Sequence, residues 1–377
     1  MRIPPSLSSN SAAAPLISTK QLNRALLYRQ MLLERSSVSA LEAIERLAGI
    51  QAQAPTPPYF ALWTRLENFH YEGLSNLLLE RKVVRIALMR STIHLVSASD
   101  CLEFRPAVQQ VLEKSLQSTY GKELRGLVLT AIANEGRRLA EEKPRTYNEL
   151  GKLLADQWPE AAPSALSAII RTLVPLVQVP PRGIWGSSGQ ATHTSAESWL
   201  GHSLAHAPSI ERMLLRYLAA FGPASIKDMQ TWSGLSKLRE TVEMLRPKLC
   251  TYTDEQSNEL FDLPNAPIPS EDTAAPPRFL SEFDNMLLSY ANRSRIIAEC
   301  YKPLVFTVNG IIRSTFLIDG FVCGTWRIEL SRQAASLYIQ SFEKLAAADR
   351  EALAAEGEKL LAFAAASIAS RTIIFTK

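Results

Sequence analysis

No run of about eighteen apolar residues occurs in the 377-residue chain, so no membrane-spanning helix is predicted. The four cysteines, Cys101, Cys250, Cys300 and Cys323, are scattered without a Cys-x-x-Cys pair. The five histidines add no metal-ligand spacing to them; His202 and His206 stand four apart without an acidic or cysteine partner and read as exposed helix residues. Neither a disulfide nor a metal site is therefore expected. The chain has no Gly-x-Gly-x-x-Gly, no Walker loop, no His-Glu-x-x-His and no Gly-x-Ser-x-Gly, and no cofactor is implied. The opening "MRIPPSLSSNSAAAPLI" has no apolar core of signal-peptide length and is interrupted by prolines. Residues 1–18 are predicted to be a disordered lead, and a cytosolic location follows, in a bacterial cytosol or nucleoid.

What remains is an ordinary globular composition, 46% hydrophobic and 21% charged. The length suggests several domains. A net charge of +4 is mild, but it is unevenly placed. Arg81, Lys82, Arg85 and Arg90 fall between positions 81 and 99 with no acid among them. Asp254, Glu255, Glu259, Asp262, Glu271 and Asp272 fall between 251 and 272 with no base. One surface can attract a polyanion while another repels it, although ordinary surface variation gives the same pattern.

Capping signals mark helix starts at Ser18 with Gln21, Ser39 with Glu42, Thr146 with Glu149 and, more weakly, Ser225 with Asp228. Each precedes a short helix, a second helix and then a basic or β-branched run such as "VVRIALMRSTIHLVS" or "LVQVPPRGIWG". Helix, helix, strand is the outline of a winged helix. The predicted fold class is α+β, mostly helical: tandem winged-helix units and a C-terminal β-containing domain. The expected boundaries are 19–120 for the first unit, 121–200 for a connector helix and the second, and 201–265 for the third. A Pro-rich acidic linker over 266–278 leads to a C-terminal α+β domain over 279–377. There "YKPLVFTVNGIIRSTFLIDGFVCGTWRIEL" reads as a three-strand meander turning at Asn309-Gly310 and Asp319-Gly320, both hairpin dipeptides. "SLYIQSFEKLAAADREALAAEGEKLLAFAA" reads as one or two helices, and "SRTIIFT" as a closing strand.

Two stretches carry polar groups in a suggestive pattern. In "RSTIHLV", strand alternation puts Arg90, Thr92 and His94 on one face, suited to a phosphate or simply to water. In "AGIQAQAPTPPYFALW", Gly49 is placed to end a helix, and prolines at 55, 57 and 58 push their predecessors out of the α region. An extended run there puts Gln51 and Gln53 on one face, where two amide oxygens converge on one water or bond the local backbone instead.

Six separated stretches resemble the family of AlkZ-like winged-helix DNA glycosylases: "RLAGIQAQAPTPPYFALWTRL", "ALMRSTIHLVSASD", "PPRGIWG", "RYLAAFGPASIKDMQTWSGL", "LSEFDNMLLSYANRSRI" and "IDGFVCGTWRIE". They occur in order over nearly the whole chain. The family motif is Gln, an apolar residue, Gln, and Gln51-Ala52-Gln53 keeps it. The resemblance implies that Gln51 and Gln53 are the catalytic residues, holding the water that attacks C1′ of a damaged nucleotide. It implies duplex DNA carrying N-alkylated purines, or interstrand crosslinks, as partner. It also implies a DNA-contacting β-hairpin, for which the Asp319-Gly320 turn is the first candidate and the Asn309-Gly310 turn the second.

An oxocarbenium-like state lies on the path of glycosidic hydrolysis. A cationic N7-alkylpurine leaves without being protonated, so neutral amides that orient water and stabilise charge are sufficient. No lysine stands near the glutamines in sequence, and a monofunctional enzyme acting as a monomer is expected. Arg85, Arg90, Thr92, His94, Arg182, Lys237, Arg239, Arg313, Asp319, Gly320 and Arg327 are the predicted DNA-binding residues. The basic ones among them are expected to contact phosphates, because a repair enzyme must tolerate any flanking sequence. Trp185, Trp232 and Trp326 read as packing residues. A non-catalytic winged-helix DNA-binding protein or regulator is the alternative reading.

Overall fold

The computed structural model describes residues 14–376. Its three sheets and many short helices make an α+β fold. The capping pattern is realised where sequence placed it. Reciprocal capping boxes start the helices Thr19–Arg29, Tyr147–Ala155 and Ile226–Ser233. Ser39 accepts from the Glu42 N–H at the start of Ala40–Arg46, while the Glu42 carboxylate turns to Arg46 instead.

The first sheet has five antiparallel strands in the order Ile50–Gln51, Ile93–Ser97, Val83–Ala87, Leu176–Gln178 and His193–Ser195. Arg85 pairs with Gln178 and Ile86 with Val177, so the first two helix-strand segments are joined edge to edge. In the third segment the helices Ile210–Phe221, Ile226–Ser233 and Arg239–Leu245 precede the hairpin Cys250–Asp254 and Glu259–Asp262, the element order of a winged helix. That hairpin takes a parallel third strand from Leu16–Ile17. The end of the expected disordered lead is thus ordered, because strand pairing satisfies its backbone groups; residues 1–13 of that lead lie outside the described residues. The third sheet orders Ser370–Thr376, Ala334–Ser341, Phe321–Leu330, Thr315–Ile318 and Arg278–Leu280, the last beginning within the expected 266–278 linker.

The C-terminal region departs from the predicted meander. "KPLV" is a helix, Lys302–Val305, with Pro303 in its first turn, where a missing N–H costs nothing. "SLYIQS" is strand, not helix: Ala334–Ser341 sits between two partners with alternate residues buried. A single helix, Ala347–Ala364, follows, and Ser370–Thr376 closes the sheet as expected.

Buried ion pairs tie the C-terminal half to the N-terminal half. Arg29 holds both oxygens of Asp262 at 2.7 and 2.6 Å, and Arg65 holds both oxygens of Asp284 at 2.9 and 2.7 Å. Removing one partner of such a pair strands a buried charge at a cost of about 3–5 kcal/mol. Aromatic packing adds to this. Phe60, on the helix Pro57–Trp63, meets Trp185, Trp326 and Phe363 within 6 Å ring to ring.

Candidate active site

The glutamine strand begins at an abrupt reversal. Ala48 and Gly49 both have positive φ after the helix Ala40–Arg46. A Cβ on Gly49 would lie 2.6 Å from Val96 Cγ1, so only glycine fits there. Gln51 then pairs with His94, and the Ala52 N–H donates to the Ile93 carbonyl at 2.7 Å. The run is extended, as expected, and both amide oxygens turn toward residues 90–93. Gln51 Oε1 accepts from Arg90 Nη2 at 2.7 Å, and Gln53 Oε1 accepts from the Ile93 N–H at 2.7 Å. Both partners are donors only, which identifies the oxygen end of each amide. Gln51 is buried and Gln53 exposed.

Asn285 holds this strand through its backbone. Its Oδ1 accepts from the Gln51 N–H at 3.2 Å and its Nδ2 donates to the Gly49 carbonyl at 2.6 Å. Ala52 is completely buried. Its carbonyl accepts from Arg85 Nη2 at 2.7 Å, and Arg85 Nε donates to Gln178 Oε1 at 3.1 Å.

Several predicted DNA contacts are corrected by this geometry. Arg85 is 1% exposed, and its guanidinium serves the loop after the motif. Burial, reinforced by Arg182, pushes its pKa down to about 10. Arg90 does not continue a strand. It and Ser91 both have positive φ, in a tight turn that the Thr92 hydroxyl helps to close by donating to the Met89 carbonyl at 3.0 Å. The strand starts only at Ile93, so the alternation read across Arg90, Thr92 and His94 fails. His94 is buried against the Thr92 carbonyl at 3.0 Å, and burial followed by the nearby Arg90 charge drives its pKa down to about 3. A neutral enclosed imidazole cannot meet a phosphate.

The Asp319-Gly320 hairpin forms, but its turn is docked on the helix Thr19–Arg29. Asp319 pairs with Arg24, the Gly320 carbonyl accepts from Asn23 Nδ2 at 2.8 Å, and a Cβ on Gly320 would strike Asn23 at 2.4 Å. Gly320 is buried there, while the Asp319 carboxylate is exposed but held by Arg24. The Asn309-Gly310 tip is the exposed one. A bridge between Phe306 and Ile312 closes its base, and Val308 at its tip is fully exposed.

Lys237, Arg239, Arg313 and Arg327 are exposed, and Arg182 is half-buried. Arg327 lies over the Tyr338 ring at 3.9 Å and pairs with Glu329. A cleft of about 1140 Å³ opens beside the loop that follows Gln53. Ala54, Pro55 and Thr56 line one wall, Ile184 to Ser188 a second, and Arg313, Trp326, Arg327 and Tyr338 a third. Trp185 and Trp326 pack against other rings, as expected, while also lining this space; Trp232 is buried.

Sequence reading overlooked Asn285, Glu282 and Arg293, although all three lie in the recognised stretch "LSEFDNMLLSYANRSRI". Glu282 faces the cleft, and burial pushes its carboxyl pKa upward. Arg293 lies over Phe306 at 4.9 Å, at the base of the exposed hairpin, and its charge acts on Arg90. No local pattern marks these residues; only the tertiary approach of the segment to the glutamine strand does.

The family model described as DNA glycosylase AlkZ-like matches residues 44–363. The chain is 24% identical over 326 residues to an interstrand DNA cross-link repair glycosylase of Streptomyces sahachiroi, covering 80% of this chain and 85% of that protein. The solved structure of Streptomyces sahachiroi DNA glycosylase AlkZ shares its fold, with a TM-score of 0.76 and 20% identity over 96% of this chain and 100% of the other. With the match running through the glutamine strand and on into the C-terminal helix, this chain belongs to the AlkZ-like DNA glycosylase family.

Proposed function

We propose that the protein hydrolyses the N-glycosidic bond of cationic N-alkylated purines in duplex DNA, and unhooks interstrand crosslinks, through a water held by Gln51 and Gln53. The observation that carries this reading is that each glutamine of the motif has its amide oxygen fixed by one donor from the segment 90–93. An amide oxygen has two lone pairs, and the second is left to accept from a water. Amides cannot take up a proton, so the proton of the attacking water passes to solvent, and the reaction is restricted to bases already cationic in the nucleotide, which take the bonding pair and leave neutral. Glu282 adds negative charge to the cleft, favouring a cationic nucleotide there over a neutral one. The named activity of the Streptomyces relative, interstrand cross-link repair, supports the crosslink as a substrate.

Among the described residues lining the cleft none is a lysine, in keeping with release of the base and an intact abasic strand. Exposed Lys237, Arg239, Arg313 and Arg327 are assigned to phosphates, and the Asn309-Gly310 tip to the duplex beside the lesion. The test is base release from a duplex holding one N7-methylguanine, and from a crosslinked duplex, without added metal. Gln51→Ala and Gln53→Ala should each slow release by about 100-fold, the scale of losing one positioned polar group. Unchanged rates in both variants, or efficient release of uracil by the wild type, would overturn the reading.

A further inference from the structure

We infer that Arg90 is a positioning residue for this reaction, fixing the rotation of the Gln51 amide from a junction where three parts of the fold meet. The inference rests on the glycosylase reading above. The terminal torsion of a glutamine is soft and roughly two-fold, so an unrestrained amide presents its oxygen and its nitrogen almost equally. Gln53 is fixed by a backbone N–H, which only a proline at position 93 would remove. Gln51 is fixed by a side chain, Arg90, at 2.7 Å. A guanidinium is donor only, so it selects the oxygen end, and a charge-assisted bond holds it firmly.

Arg90 is itself over-determined. Its Nη1 donates to the Trp232 carbonyl at the end of the helix Ile226–Ser233. Gly234, at φ +79°, lies so close that a Cβ there would approach Arg90 N and Cα to 3.2 Å. From the other side, Arg171 on the helix Pro163–Leu173 donates to the Ser91 carbonyl at 2.6 Å and to its hydroxyl at 3.2 Å. The turn at positions 90 and 91 adopts left-handed backbone, which is costly for non-glycine residues and persists only where surroundings enforce it. Among the described residues no carboxylate pairs with Arg90; its hydrogen-bond partners are a neutral amide and a carbonyl. A half-buried guanidinium without a counter-anion is an expensive way to fill space. A positive charge beside a nucleotide that develops positive charge gives no electrostatic help either. Orientation of Gln51 is the role left to it.

The test compares kcat and KM for release of N7-methylguanine from duplex DNA by the wild type, Arg90→Ala, Arg90→Lys, Gln51→Ala and the two double variants, with thermal melting of each. Arg90→Ala should lower kcat by about 30-fold, within the range set by small misplacements of a reacting group, and leave KM within about two-fold. In the Gln51→Ala background the same change should cost less than about three-fold, because residues that act through one another are not additive. Millimolar guanidinium should restore part of the activity of Arg90→Ala and none of that of Gln51→Ala. If Arg90→Ala does not fold, Arg90→Lys keeps the charge and one donor and carries the same cycle with a smaller loss. Additive losses, or a change confined to KM, would overturn the inference and return Arg90 to a packing or phosphate role. A wild type that releases no base from methylated or crosslinked duplex removes the glycosylase reading and this one with it.

Discussion

Asn285 clasps the glutamine strand on both sides of Ile50, accepting from the Gln51 N–H and donating to the Gly49 carbonyl. The residue before it, Asp284, is locked by Arg65. A segment more than two hundred positions away in sequence therefore sets where the glutamine strand lies. Asn285→Ala removes two buried hydrogen bonds and leaves their backbone partners unmet, which should cost about 2–4 kcal/mol. Asn285→Asp keeps the acceptor but sets a buried carboxylate oxygen against the Gly49 carbonyl, so it should be at least as destabilising as Asn285→Ala. Denaturant unfolding checks both, and base release should decline in the same order.

Buried and exposed arginines should separate cleanly in binding. Arg313→Ala should weaken duplex binding and reduce the salt slope of log K by about 0.9, the signature of one lost phosphate contact. Arg85→Ala should leave that slope unchanged, because its guanidinium is enclosed. It should destabilise the fold by about 2–3 kcal/mol through the carbonyl of Ala52 and the Gln178 amide it leaves unpaired. Titrations at several salt concentrations, with a melting curve for each variant, distinguish the two. An altered slope for Arg85→Ala would contradict its assignment to the loop.

The two hairpin tips should respond oppositely. Val308→Asp places a charge on a fully exposed apolar tip and should weaken duplex binding at least about ten-fold, by repulsion and loss of apolar contact, with little change in melting. Asp319→Ala breaks the contact with the buried Arg24 and should lower the melting temperature without affecting DNA affinity. The reverse pattern would restore the Asp319-Gly320 turn as the DNA-facing one.

Stability should fall with acid through two enclosed histidines. Burial holds His94 down at about 3 and His193 down at about 4. An unfolded histidine titrates near 6.5, so below that pH the unfolded chain binds more protons than the folded one. Their contribution is complete above about pH 6.5 and is lost as the pH falls toward the folded values, at up to about 1.4 kcal/mol per pH unit each. His193 stacks on Tyr147 at 3.9 Å, and its buried Nε2 has no hydrogen-bond partner among the described residues. His193→Phe should therefore flatten the pH dependence of melting between about pH 6.5 and about pH 4.5 while preserving the stack. An unchanged slope would show that other groups dominate the acid transition.

Local physics explains which parts of this fold were legible in the sequence. Serine and threonine caps, the hairpin dipeptide at Asp319-Gly320 and the extended run imposed by Gly49 and the prolines depend on neighbours a few positions away, and they form as read. The strand alternation through Arg90 did not, because the turn at 90 and 91 is enforced by Arg171 and Gly234, both remote in sequence. The same holds for Arg85, a basic residue in a basic stretch that was assigned to the surface. The pairing of Val83–Ala87 with Leu176–Gln178 and the loop after the glutamines enclose it. "SLYIQS" alternates as a strand should, yet the long helical run after it drew the reading toward helix.

The five-stranded sheet that runs from Ile50 to Ser195 has a consequence for recombination. Its central seam, Arg85 against Gln178 and Ile86 against Val177, crosses the point at which a crossover between relatives would most naturally fall. A hybrid taking its first hundred residues from one parent and the next hundred from another inherits two half-sheets never matched to each other. The smallest module that keeps its own strand pairing is the two segments together, so an exchange that moves both should preserve the sheet where one that splits them does not.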